Sequence, residues 1–75
     1  MTDKQVFHSE PYEGRWRVSK AGTTVATCST QTEADIEAIQ AARSVQAKGG
    51  YAQVIFIKQD GSIREDRNYG ADPQR

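Results

Sequence analysis

The chain has 75 residues, ten basic and ten acidic, a formal net charge of zero and one cysteine. That length confines it to one domain, residues 1–75, whose core hides only about 60% of the surface exposed by the unfolded chain. The charge balance argues against a protein whose main task is coating phosphate backbones, and a lone Cys28 excludes an intrachain disulfide framework. No secretory leader is expected from Met1-Thr2-Asp3-Lys4-Gln5, and the longest apolar run, Val54-Ile55-Phe56-Ile57, is far too short to span a membrane. A cytoplasmic location is therefore the default expectation.

Glycines divide the chain into short pieces. Gln5 to Ser9 is predicted as a first strand, with Pro11 and Gly14 bracketing the turn after it. Arg15 to Lys20 alternates as a strand with one dry face, Trp16 and Val18, and one wet face, Arg15, Arg17 and Ser19. Ala21-Gly22 turns the chain, and the β-branched run Thr23 to Ser29 is a third strand. A helix follows, with two overlapping capping signals, Thr32 with Asp35 and Thr30 with Glu33. Ala34, Ala38, Ala41, Ala42 and Val45 form its narrow apolar stripe, bordered by Ile39 and with Ile36 at the edge. Glu33, Asp35 and Glu37 near its start and Arg43 and Lys48 near its end suit the helix dipole, and Gly49-Gly50 stops it.

Tyr51 to Lys58 is the fourth strand, Asp60-Gly61 the hairpin signal, and Ile63 to Tyr69 a charged fifth strand suited to a sheet edge. Residues 70–75 read as a flexible tail. The fold class is α+β: a small, curved antiparallel sheet of about five strands, in the order β-β-β-α-β-β, packed on one α-helix. The fourth strand is apolar on both sides, with Ala52, Val54 and Phe56 on one face and Tyr51, Ile55 and Ile57 on the other. One helix covers one face of a small sheet, so the second face needs sheet curvature, the tail or a second molecule to cover it. Tyr51, Ile55 and Ile57 are the candidate protein-interaction surface, and a homodimer is one solution.

The runs Gly14-Arg15-Trp16-Arg17-Val18, Glu37 to Arg43, Gly49-Gly50, Asp60 to Glu65 and Tyr69 to Pro73 together resemble the bacterial domain-of-unknown-function family 2188. The resemblance runs from about Val6 to Pro73, with a departure around Ala34-Asp35-Ile36, where the helix start is extended. It implies a small bacterial protein of this element order and no particular activity. In architecture the chain is also similar to the plant Apetala-type DNA-binding domain and the arm-binding domain of phage integrases. Arg15-Trp16-Arg17, Lys20 and Thr32-Glu33-Ala34 are the comparable segments, and fold alone carries no function.

No catalytic constellation emerges. His8 and Cys28 would need an orienting third group and an oxyanion site to act as a nucleophilic pair, so the chain is not expected to be an enzyme. One cysteine and one histidine fall short of a zinc site, and Gly49-Gly50 follows a helix, where a phosphate loop would precede one. No cofactor, metal or small-molecule ligand is expected. Nucleic acid is the alternative partner, through Arg15, Arg17, Lys20 and Arg64, with Arg67 on the face opposite Arg64. Against it stands pairing of these arginines with Glu10, Glu13, Glu65 and Asp66. The leading expectation is a non-catalytic accessory module binding itself or another protein.

Overall fold

A computed structural model describes residues 4–70. The elements are β1 (Lys4–Tyr12), β2 (Arg15–Lys20), β3 (Thr23–Cys28), α1 (Gln31–Ala47), β4 (Tyr51–Ile57) and β5 (Ile63–Tyr69). They form one five-stranded sheet in the order β3-β2-β1-β4-β5, with α1 packed on one face. The class is α+β with the anticipated element order. The sheet, however, is mixed: β1 and β4 pair in parallel, Phe7 beside Val54 and Ser9 beside Phe56. Three antiparallel steps would place β4 beside β3. Instead α1 carries the chain back across the sheet and sets β4 against the far side of β1, which fixes its direction.

The two-residue turns Glu13-Gly14 and Ala21-Gly22 both have positive φ, as type I′ hairpins require. The first strand runs on through Pro11, where a turn was expected. Its pairing with β4 extends only to Ser9 and Phe56, so at Pro11 the strand has β2 alone as a neighbour and the missing N–H breaks no shared ladder.

Thr30 caps α1: its hydroxyl accepts from the Glu33 N–H at 3.2 Å, and Glu33 Oε1 accepts from the Ser29 N–H and the Thr30 hydroxyl. The upstream box wins over Thr32. At the other end Gly49 has φ 85°, and the N–H groups of Gly49 and Gly50 donate to the carbonyls of Gln46 and Val45, a Schellman closure. Lys48 is the C-cap, and no basic side chain lies in the last turn itself, so the expected C-terminal dipole partners are absent there.

Ala34, Ala38 and Ala42 are fully buried against Phe7, Trp16, Val18, Val54 and Phe56, with Ile39, Ala41 and Val45 alongside. Small side chains at successive turns let the helix lie close to the sheet. Ala38→Leu forces extra volume into this contact and is expected to cost about 1–3 kcal/mol. Urea titration would show a lower midpoint at unchanged slope; an unchanged midpoint would mean that the helix can ride outward at no cost.

Both edge strands are bulged. The β2–β3 register shifts between Val18 and Ser19, leaving Val25 as the extra residue, and the β4–β5 register shifts between Phe56 and Ile57, leaving Arg64 as the extra one. Such kinks interrupt the outer ladder and discourage edge-to-edge aggregation.

Candidate functional site

Alternation assigns every strand residue to the helix side or to the open face. Directly paired residues share a face, so the open face follows from the register. One row crosses it as Asp66, Ile55, His8, Ser19 and Thr24; the next as Ile63, Ile57, Glu10, Arg17 and Thr27. Val6 and Gln53 lie beyond the first of these rows, with Tyr51 further toward the same end of β4.

The face divides into two halves. On β1, β2 and β3 it is polar and internally satisfied. Arg17 Nε donates to Glu10 at 2.6 Å, its other guanidinium arm donates to Thr24 at 3.0 Å, and the Ser19 hydroxyl donates to Glu10 at 3.3 Å. The Arg17 guanidinium also stacks 4.0 Å from the centre of the Tyr12 ring. On β1 and β4 the face is apolar, formed by Val6, Ile55 and Ile57 around His8. All four are half-buried, and among the described residues no helix lies over them. The Tyr51 hydroxyl donates to Asn68 at 3.0 Å, which holds its ring toward β5. Tyr51, Ile55 and Ile57 therefore share the open face.

The basic candidates do not form one surface. Arg15 and Arg17 are on the open face. Lys20 pairs with Phe7, so it stands on the helix side, with its ammonium 5.9 Å from the Phe7 ring. The β5 bulge turns Arg64 to the helix side as well, where it donates to Asp35 at 2.7 Å. Simple alternation puts Arg64 and Arg67 on opposite faces; the extra residue removes that opposition, and both guanidiniums approach the Phe56 ring, at 5.1 and 5.8 Å. Arg17 pairs with Glu10 and Arg67 with Glu65, whereas Arg64 takes a helix carboxylate that its sequence neighbours do not suggest.

His8 is on the open face of β1, and Cys28 lies opposite Trp16 on the helix side of β3, so they do not make a nucleophilic pair. Burial first, then the charges of Glu37 and Glu33, push the Cys28 thiol above its usual range. Cys28 is expected to alkylate more slowly at pH 8 than a free cysteine peptide, and Glu37→Gln should speed it. Equal rates for the two proteins would remove Glu37 as a cause. In the β4–β5 turn, the Ser62 hydroxyl and N–H both donate to Asp60 and hold its carboxyl below the ordinary range. Among the described residues no group of three or more histidine, cysteine or acidic side chains is placed to hold a metal ion, and no helix is long and apolar enough to cross a membrane.

A family profile described as "Uncharacterized protein conserved in bacteria (DUF2188)" matches residues 7–69. The chain belongs to this family. The match begins at Phe7 in β1 and ends at Tyr69 in β5, so the family pattern takes in the helix, the whole of β2 to β5 and the part of β1 from Phe7 on. No curated protein and no solved structure matches the chain.

Proposed function

We propose that this DUF2188 protein is a non-catalytic interaction module that pairs face to face with a second copy of itself through the open side of its sheet. The observation that carries the reading is the apolar half of that face, Val6, Ile55 and Ile57 on the two adjacent strands β1 and β4, with the only helix among the described residues on the opposite side. Five strands at about 4.8 Å spacing, each some six residues long, present roughly 500 Å². Two such faces bury about 1,000 Å² in all, the lower end of specific interfaces, which suits a reversible dimer. Zero net charge adds no long-range repulsion.

The arginine placements weigh against nucleic-acid contact. Arg17 and Arg64 are each committed to a carboxylate, and Lys20 and Arg64 stand on the side away from Arg15. Sedimentation of the protein, alone and with a short labelled duplex at two salt concentrations, tests both readings. A concentration-dependent dimer with no duplex shift is the expected result. A monomer at high micromolar concentration overturns it, and a salt-sensitive duplex complex would transfer the function to Arg15 and Arg17.

A further inference from the structure

A groove of about 450 Å³ runs between β3 and α1, on the opposite side of the sheet from the proposed dimer face. Its apolar lining is Ala26, Cys28 and Ile36; its charged lining is Glu33 and Glu37, with no lysine or arginine. Glu33, Ile36 and Glu37 stand three and four residues apart, so they form one ridge along α1. Ile36 is 49% exposed, a large apolar side chain beside the groove that the fold does not cover. The wall opposite is an edge strand, one row of whose backbone N–H and C=O groups has no partner strand among the described residues.

The geometry points to this groove as a docking site for an extended peptide that carries an apolar and a basic side chain two residues apart, so that both face α1, added as a short strand against β3. Each feature selects one property of the partner. The free edge selects an extended backbone, which it binds by main-chain hydrogen bonds. The Ala26, Cys28 and Ile36 lining takes an apolar side chain. The two carboxylates select a cation: Glu37 has no ion-pair partner among the described residues, and Glu33 uses only one of its oxygens in the helix cap. The raised proton affinity of the Cys28 thiol, caused partly by these carboxylates, is consistent with a negative groove. The bulge at Val25 offsets β3 against β2 and bends the strand there, so regular pairing at the free edge is confined to Ala26–Cys28 and side chains supply the selectivity. Binding here is independent of self-association.

The probe is acetyl-Ser-Val-Ser-Lys-Ser-Val-Ser-Lys-amide, whose valines and lysines share one face of the strand, titrated into isotope-labelled protein and followed by backbone amide shifts. Saturable shifts at Ala26, Thr27, Cys28 and Glu37 are expected. Glu37→Lys, on an exposed position outside the core, should weaken binding about tenfold or more, since it places like charges in contact. The double variant Ile55→Asp/Ile57→Asp should bind as the parent does, which separates this site from the dimer face. The absence of saturable shifts, equal binding of the peptide with glutamate in place of lysine, or shifts centred on Ile55 and Ile57 would each overturn the assignment.

Discussion

The variant Ile55→Asp/Ile57→Asp is expected to remain folded and to sediment as a monomer at concentrations where the parent protein is a dimer. Both residues lie on the open face, while their strand neighbours Val54 and Phe56 hold the core on the other side. The two substitutions therefore leave the helix contact intact. Four aspartates would meet across a dimer seam of roughly 1,000 Å², and desolvating them exceeds what so small an interface returns. Loss of association by tenfold or more is the predicted scale, since each 1.4 kcal/mol of penalty is tenfold. The far-ultraviolet circular dichroism spectrum should match the parent's. If the variant unfolds, Ile55 and Ile57 are needed by the monomer itself and the surface assignment fails. If it folds and still dimerises, another face carries the contact.

Asp35→Ala should be the most damaging single change on the polar side of the molecule, at about 2–3 kcal/mol. Asp35 ties three elements together: its carboxylate accepts from the Ser9 hydroxyl at 2.8 Å and from Arg64 at 2.7 Å. Ser9 is fully buried on β1, and every buried side-chain polar atom among the described residues has a partner. Truncating Asp35 orphans that hydroxyl in the core, which supplies most of the loss. The Arg64 pair contributes little by comparison, about 0–1 kcal/mol, because both side chains reach solvent. A domain of this size has only about 4–11 kcal/mol of total stability, so the change should lower Tm by roughly 10–20 °C. Asp35→Asn keeps an acceptor for Ser9 and should cost under about 1 kcal/mol. Equal losses for the two variants in thermal melts would show that the ion pair, not the buried hydroxyl, carries the energy.

Much of this was legible in local pattern. Trp16 and Val18 alternate with Arg15, Arg17 and Ser19, and the structure buries the first pair and turns the second set to the open face, where Ser19, expected to be wet, is buried as well. The alanine stripe on α1 is the buried stripe, and Tyr51, Ile55 and Ile57 do share the side away from the helix. The misjudged residues are those whose surroundings come from distant strands. Arg64 changes sides because one extra residue in β5 offsets the period of two, and periodicity within β5 contains no sign of it. Pro11 stays in a strand because β4 stops short of it. The Ser9–Asp35–Arg64 connection joins β1, α1 and β5, and none of its members stands out in its own segment. The β3–α1 groove is likewise invisible beforehand, since Cys28 and Glu37 belong to elements that meet only on folding.

Local patterning was enough to place the five strands, the single helix, the side of each central strand that enters the core and an apolar second face on β4, because period-two and period-3.6 patterns are properties of one segment at a time. The parallel pairing of β4 with β1, the bulges at both edges and the choice of which arginines are neutralised arise only on folding. These depend on which strands become neighbours and in what register. That choice is made by packing the alanine face of α1 across the whole sheet, through contacts between segments far apart in the chain.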